Sequence, residues 1–244
     1  MHWVKRLSVE KSVGEPLDGQ VVLGLNQVGW GAFSVRSKDF PDLAPGHSCR
    51  FYIGRSDKFT MLLLEGRISG IEPDRDGVTR FKVRQRCEVL EQVHALALTD
   101  CTALHVLQEI VEITGLTFAT ASPRDPAAQY LTTTIPTYAS QGPLLNALNG
   151  LGPLFGVPDA VWYEQPDGKI FWGSWSETPM AKTPLPLQGN VIQEQDLQGR
   201  SIYIPLVGAI RPGMVMQSPD MTFRVDQLSL QGDRMRLEWR EAQA

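Results

Sequence analysis

Residues 234–240, close to the C-terminal end of the chain, alternate strictly between polar and apolar side chains. Successive side chains of a β-strand point to opposite faces of a sheet, so the pattern predicts a strand with one buried and one polar face. A second alternating segment, residues 222–230, precedes it, and Gly232 lies in the short polar gap between the two. Because glycine adopts positive φ angles without steric cost, we predict a β-hairpin. The apolar face carries Met235, Leu237 and Trp239, and the polar face carries Arg234, Arg236, Glu238 and Arg240.

The first strand of this hairpin contains one break in its alternation. Phe223 and Val225 fall out of step with Leu228 and Leu230. One extra residue in a strand moves the following side chains to the other face, so the slip predicts a β-bulge near residues 226–227.

The same order of features occurs in the first third of the chain. Pro45-Gly46 precedes an apolar run at residues 51–53, as Pro212-Gly213 precedes the apolar run at residues 214–216. A polar break and a second alternating pair, residues 59–71 and 78–85, follow the first run, with a turn at residues 72–77. A repeated pattern indicates two similar β-domains. An accidental likeness between two ordinary hairpins would give the same pattern.

Composition restricts the class of protein. Among 244 residues, 42% are hydrophobic and 20% charged, which is enough apolar material for a packed core. The net charge of −4 argues against a dedicated nucleic-acid-binding protein, which normally carries a basic stripe. No run of about 18 apolar residues occurs, so we expect no membrane span. The N-terminal residues alternate instead of forming an apolar block, so we expect no signal peptide.

The cysteines give neither a disulfide framework nor a metal site. Cys49, Cys87 and Cys101 are odd in number and widely spaced. Buried thiols in a protein that folds in a reducing cytoplasm fit this usage best.

The chain is predicted to divide into three parts, at residues 1–87, 88–184 and 185–244. Short strands in the first part are typical of a small barrel or sandwich. The middle part is α+β: a helix capped by Asp100 or Thr102 ends before Gly115, and a second helix begins at residues 143–148. A hairpin at residues 161–164 and 169–172 follows. We expect four residues to break up the second helix: Gly150, Gly152, Pro153 and Gly156.

The candidate sites for chemistry have simpler structural explanations. Asp74 and Asp76 before Gly77 resemble the start of a calcium loop, but a strand follows where further ligands are needed. The four histidines, His2, His47, His94 and His105, have no ligand spacing. The chain has no nucleophile elbow and no glycine-rich phosphate loop. We therefore predict no catalytic, metal-binding or cofactor-binding residue.

Aromatic residues in the middle part support one alternative. Trp162, Trp172 and Trp175 could stack on sugars, with three carboxylates nearby for glycan hydrolysis, those of Glu164, Asp167 and Glu177. The simpler interpretation is that Trp162 and Trp172 alternate inward and fill a small core.

Both long hairpins carry a mainly cationic face, formed by Arg80, Lys82 and Arg84 in one and by Arg234, Arg236 and Arg240 in the other. A solvated sheet face would explain this. We favour a subunit contact, in which carboxylates of a neighbour such as Asp74 and Asp76 pair with the arginines.

Two segments resemble a known family. Residues 101–116, which read CTALHVLQEIVEITGL, resemble the helix in the middle domain of baseplate hub proteins of tailed bacteriophages. Residues 210–215, which read IRPGMV and precede a hairpin ending in Leu237-Glu238-Trp239, resemble the second barrel of that family. The hub of type VI secretion spikes is related. The order of parts, barrel, helical insert and barrel, resembles the family over most of the chain.

The resemblance implies a non-enzymatic structural protein that is mainly β, with two tail-tube-like barrels and an α+β insert. Three copies would present six barrels to a six-fold tail tube or distal tail protein, and three-fold symmetry to a spike or central fibre. A tape measure protein would be a further partner, and DNA would pass transiently through the lumen. The protein would lie in the virion tail after assembly in the host cytoplasm. A hexameric distal-tail or tube-initiator ring protein is the alternative.

Overall fold

The computed structural model describes residues 3–56, 60–73, 76–218 and 221–242, and the chain divides into two compact units. The first unit joins the residues up to Arg86 to those from Lys182 onward, and the second covers Cys87–Ala181. The predicted mainly β class with an α+β part is confirmed. The separation of the first unit into two barrel domains, residues 1–87 and 185–244, stays a prediction.

The N-terminal part of the first unit is built from short strands whose side chains alternate between core and solvent. Val4–Val9 begins as an amphipathic strand, and Trp30–Arg36 buries every second side chain. The strands are β1 Val4–Val9, β2 Ser12–Gly14, β3 Asp18–Gly24, β4 Trp30–Arg36, β5 Ser48–Gly54, β6 Thr60–Pro73 and β7 Val78–Arg84.

The second unit contains both α-helices. Thr102 caps helix α1: its hydroxyl accepts the His105 N–H at 3.3 Å, its own N–H donates to His105 Nδ1, and Gly115 ends the helix at a φ of 70°. This confirms the predicted helix. Each helix packs against a strand of a two-stranded ribbon. The elements are β8 Val93–Cys101, α1 Ala103–Thr114, β9 Phe118–Ala119, β10 Ile135–Pro143, α2 Leu144–Phe155, β11 Ala160–Glu164 and β12 Ile170–Ser174.

Helix α2 corrects one prediction. It runs through Gly150, Gly152 and Pro153 and ends only at Gly156, where φ is 67°. Its buried stripe, which includes Leu151 and Phe155, overrides the low helix propensity of these residues. Gly152 is required for packing, because a Cβ there would lie 2.3 Å from the Cβ of Ala160.

The C-terminal part of the first unit contributes the remaining strands. They are β13 Leu185–Pro186, β14 Glu194–Asp196, β15 Ser201–Pro205, β16 Val215–Gln217, β17 Thr222–Gln231 and β18 Arg234–Glu241. Short 3-10 helices connect elements along the chain, at Ser37–Asp39, Arg86–Glu91, Pro126–Leu131, Trp175–Glu177, Pro179–Ala181 and Gly189–Val191.

Thirteen strands of the described residues form one sheet in the first unit. The order is β14-β15-β18-β17-β3-β4-β7-β6-β5-β1-β2, with β16 beside β17 and β13 beside β16. One hydrophobic core is shared by both ends of the chain, and the Phe33 ring lies at 4.9 Å from Phe51 and 5.8 Å from Phe81. The pairings between described strands form an open order and do not close a barrel.

Candidate assembly edges

Five strands of the N-terminal part repeat the pairing order of five strands of the C-terminal part. The first repeat, β3 to β7, has the order β3-β4-β7-β6-β5, and the second repeat, β14 to β18, has the order β14-β15-β18-β17-β16. All neighbouring strands in both repeats are antiparallel. The predicted duplication is therefore confirmed in strand order.

The repeats also share a backbone connection. Gly46 and Gly213 have φ angles of 86° and 90°. Gly46 donates its N–H to the carbonyl of Ile68 at 2.7 Å, and Gly213 donates to Val225 at 2.7 Å. The pairing register shifts directly after Ile68 in β6 and directly after Val225 in β17. The Pro-Gly pairs noticed in the sequence thus anchor equivalent β-bulges.

The bulge in β17 lies where the broken alternation predicts it, at Asp226. The carboxylate of Asp226 accepts from Nε of Arg224 at 3.0 Å and from Nε of Arg240. The Arg224 side chain is only 2% exposed. The extra residue lets Val225 and Leu228 both face the core, because it restores the side-chain phase.

Beyond its bulge, β17 joins the two repeats within the chain. Residues Gln227–Gln231 pair with Gln20–Gly24 of β3, which we call the internal junction. Leu25 donates its N–H to the Asp226 carbonyl at 2.9 Å. The junction is apolar on its core side, where it buries Val21, Leu23, Leu228 and Leu230.

At the other ends of the repeats, the equivalent strand segments have a strand partner on one side only among the described residues. Beyond the bulge of β6, residues Gly70–Pro73 pair only with β7 among the described strands. Strand β14 pairs only with β15 among them, and all three of its residues are exposed. When the two repeats are aligned by their strand pairings, Pro73 occupies the position of Leu230, and Asp196 occupies the position of Gln20. We call the outer edges of residues 70–73 and of β14 the open edges.

The open edges differ from the internal junction in one detail. Strand β3 continues from Gln20 to Gly24, whereas the chain turns after Asp196, whose carboxylate accepts the N–H of Gly199 at 2.8 Å. Leu197 follows directly and is 64% exposed, although its equivalent in the internal junction, Val21, is fully buried. An exposed leucine therefore lies beside an unpaired strand edge.

The cationic faces are present as predicted, with the apolar partners Met235, Leu237 and Trp239 buried. Arg80 and Lys82 are exposed on β7. On β18, Nε of Arg240 donates a hydrogen bond to the Asp226 carboxylate. The guanidinium of Arg236 lies 3.3 Å from the carboxylate of Glu238. Asp74 lies outside the described residues, so the suggested pairing of its carboxylate with these faces stays a prediction.

The tryptophans that suggested a sugar site fill the core of the second unit. Trp162 and Trp172 are cross-strand partners in the β11–β12 hairpin and are each 1% exposed. The indole N–H of Trp162 donates to Asn149 Oδ1 at 2.7 Å, and Trp172 packs edge-on against Tyr130. Trp175 lies in a 3-10 helix and is half-buried. The inward orientation of the first two is confirmed.

The carboxylates near them hold the backbone together. The Glu177 carboxylate accepts hydrogen bonds from the Tyr130 hydroxyl and from the Ser174 N–H. Burial, followed by the bond to Glu177, raises the pKa of Tyr130. Glu164 accepts the N–H of Cys87 at 3.0 Å, and Asp167 accepts the N–H of Lys169 in the hairpin turn. The structure thus gives each of these carboxylates a structural partner.

The remaining candidates are not brought together. Within the described ranges, no group of three or more His, Cys, Asp or Glu side chains has the geometry to hold a metal ion. His2 lies outside those ranges, whereas His47 precedes β5, His94 lies in β8 and His105 lies in α1. All three cysteines are buried as free thiols. No helix in the described parts of the chain is long and apolar enough to cross a membrane.

The sequence patterns missed the open edges. Strand β14 is short and fully exposed, so it carries no alternation. The available signal was Leu197, a single leucine in the polar stretch at residues 193–200.

Comparison with known proteins identifies others that share this fold. No family model matches the chain. The 43 kDa tail protein of prophage MuSo2 from Shewanella oneidensis superposes with a TM-score of 0.71, with 99% of this chain and 98% of that one covered, at 10% identity. The chain has the fold of a phage tail protein.

A type VI secretion component shares this tail-protein fold. The c3393 protein of E. coli, described as similar in structure to the T4 tail proteins gp27 and gp5, superposes with a TM-score of 0.68 at 10% identity, covering 97% of this chain and 77% of that one. In sequence, an uncharacterised 58.7 kDa protein of Haemophilus phage HP1 is 24% identical over 236 residues, 96% of this chain. The chain spans 41% of the length of that relative.

Proposed function

We propose that the chain is a structural hub of a phage tail tip, assembled as a trimer through its open edges. The observation that carries this proposal is the repeat: one internal junction joins the repeats within the chain, and the equivalent edges at the two ends remain open. Joining residues 70–73 of one copy to β14 of the next would continue the same order of repeats. Such head-to-tail contacts generate a closed ring when the rotation between copies allows closure.

Three copies of a two-repeat chain would present six similar modules. That number matches a six-fold tail tube, while the ring itself keeps three-fold symmetry for a spike or central fibre. The likeness in fold to a phage tail protein and to a type VI secretion component supports this class of function.

The side chains at the open edges suit such a contact. Unpaired strand edges are prone to pair with another chain, so natural proteins usually cover them. Glu194 and Asp196 on β14 are acidic, whereas β7, next to residues 70–73, exposes Arg80 and Lys82. These cations lie one strand further in, behind the exposed Glu72 of the edge itself. The contact would therefore rest on main-chain pairing and on burial of Leu197.

In this role the protein acts through geometry, without catalysis of its own. The tail tube or distal tail protein would bind one side of the ring, and the spike or fibre the other, with the tape measure protein as a further partner. DNA would pass through the lumen during ejection without specific contacts. A net charge of −4 suits a surface from which DNA must slide away.

The mass of the assembled particle tests the proposal. Sedimentation equilibrium of the purified chain should give a mass of three 27.1 kDa chains. Six chains would instead support a distal-tail or tube-initiator ring, and a monomer at all concentrations would contradict both. A glycan array with the wild type and Trp175→Ala tests the remaining class: we expect no binding, and binding lost in the variant would contradict a purely structural role.

A further inference from the structure

The hairpin formed by β1 and β2, which we call the N-terminal hairpin, breaks the repeat. Strand β1 pairs antiparallel with β5 over six residue pairs, and β2 then pairs with β1. The equivalent strand β16 is covered by the two-residue strand β13, in parallel orientation. No described residues of the C-terminal part form a counterpart to β2. Among the described residues of the first unit, only the first repeat therefore carries such a hairpin.

A cavity of about 290 Å³ opens at the turn of this hairpin. Val9, Phe40 and Leu43 give it apolar walls, and Glu10, Asp42 and His47 give it polar ones. This volume is enough to accept one large apolar side chain. The cavity therefore has the form of a pocket for an anchor residue.

Two hydrogen bonds to Ser48, at the start of β5, hold the turn beside the cavity in place. The carboxylate of Glu10 accepts the N–H of Ser48 at 2.7 Å, and the N–H of Glu10 donates to the Ser48 carbonyl at 3.2 Å. Gly14 lies against the ring of Phe40, because a Cβ added at Gly14 would lie 3.0 Å from a carbon of that ring. The pocket thus exists before any partner binds, which reduces the entropy lost on binding.

An unpaired strand edge and a negative surface accompany the pocket. Strand β2 is the last strand of the sheet order and pairs only with β1 among the described strands. Val13 in β2 and Leu17, three residues after the end of β2, are each 49% exposed. Residues 10–17 and 38–47 carry four carboxylates, Glu10, Glu15, Asp39 and Asp42, against two amines, Lys11 and Lys38.

From these features we infer that the N-terminal hairpin docks an extended segment of another protein. The segment pairs with the edge of β2, places an apolar side chain in the pocket, and carries lysine or arginine beside it. Edge pairing gives affinity through the main chain, and the pocket gives specificity. This inference rests on the proposed hub: in a trimer the site occurs three times, so its partner is the three-fold spike or fibre.

A defined peptide tests the site. The probe is acetyl-Lys-Val-Thr-Phe-Thr-Val-Lys-amide, titrated into the full chain labelled with ¹⁵N. We expect a dissociation constant below about 1 mM, with amide shifts concentrated in β2 and around the pocket. The same peptide with alternate N-methyl groups should not bind, because it cannot pair with a strand edge. Absence of binding by the unmodified peptide, or shifts located elsewhere, overturns the inference.

Charge-reversal variants distinguish binding at this site from non-specific binding. Asp42→Lys should weaken the lysine peptide about fivefold and strengthen a peptide with glutamate at both ends by a similar factor. Glu112→Lys, an exposed charge reversal on α1, should change neither. Equal effects of both variants contradict the assignment.

The oligomeric state separates this inference from the proposed hub. Val13→Asp should leave the mass of the particle unchanged, since a different protein covers the hairpin. A drop in mass would show that a second copy covers β2 and would overturn the inference. Peptide binding to a chain that is not trimeric would retain the docking site and remove the hub.

Discussion

Gly46 and Gly213 hold the same backbone position in the two repeats of one chain. Both have left-handed φ angles, and both donate an N–H over 2.7 Å to the residue before a β-bulge. The side chains around them differ, for example His47 against Met214 as the next residue. The backbone geometry around each bulge is therefore common to both repeats, while the surfaces differ.

Replacing Gly46 tests the shared backbone position. A Cβ at Gly46 would meet no atom within 4 Å, so Gly46→Ala adds only the strain of a positive φ. We expect a loss of about 1–2 kcal/mol in the free energy of unfolding. Gly70→Ala is the control, because Gly70 also has open space but no positive φ. Equal effects in denaturant titrations would contradict the role of the left-handed conformation.

The Asp226 carboxylate should stabilise the bulge of β17. Asp226→Ala removes the carboxylate that accepts from the nearly buried Arg224. We expect a loss of about 2–4 kcal/mol, because the nearly buried guanidinium of Arg224 loses a hydrogen-bonded carboxylate. Glu238→Gln removes the charge that faces the half-exposed Arg236 and should cost less than about 0.5 kcal/mol. Urea titration of both variants measures the difference, and similar losses would refute it.

The hydroxyl of Tyr130 should stabilise the second unit. It donates to Glu177 and accepts the N–H of Ser174 at 3.2 Å. Tyr130→Phe should therefore cost about 1–3 kcal/mol, since buried polar groups lose their partner. Tyr138 is similarly buried, but the partners of its hydroxyl are neutral, the Ala147 carbonyl at 3.5 Å and Ser140, so Tyr138→Phe should cost less. The reverse order in thermal unfolding would disprove this role.

The Cys49 thiol should make the chain less stable in alkali. Burial raises its pKa from 9.0 to about 12. Between these values the unfolded chain releases a proton that the folded chain keeps, so stability falls as pH rises. Cys49→Ala should reduce the slope of the unfolding free energy by up to about 1.4 kcal/mol per pH unit in this range. Unfolding at pH 9 and pH 11 checks this, and an unchanged slope would contradict it.

Leu197 should contribute to the contact between copies. Leu197→Asp places a charge at the open edge and should shift sedimentation from trimer toward monomer. Leu154→Asp replaces another exposed leucine, on α2, and should leave the mass unchanged. If both variants remain trimeric, the β14 edge is not the contact.

Local patterns predicted the local elements of this fold. The alternation of residues 234–240, the bulge at Asp226 and the capped helix α1 follow from side-chain period and terminal residues, which act over a few positions. The β8–β10 ribbon was missed, since alanines at positions 95, 97 and 139 have low strand propensity. Helix α2 was cut short, because propensity was weighed without the burial that overrides it.

The candidate site could not be derived from sequence to the same extent. The internal junction pairs β17 with β3, which are about two hundred positions apart, and such pairing leaves no local signal. The open edges are recognised only by comparing registers in the two repeats. Pattern duplication predicted two similar β-domains, but the strand order was needed to identify residues 70–73 and β14.

A reconstruction of the purified particle by electron cryomicroscopy tests the central claim most directly. We predict a ring with three-fold symmetry and six similar β-modules, in which residues 70–73 of one copy adjoin β14 of the next. The two repeats of each chain should superpose after rotation by roughly a sixth of a turn, as six modules in a closed ring require. A ring of six chains, or a trimer whose contacts leave both open edges exposed, would contradict this account.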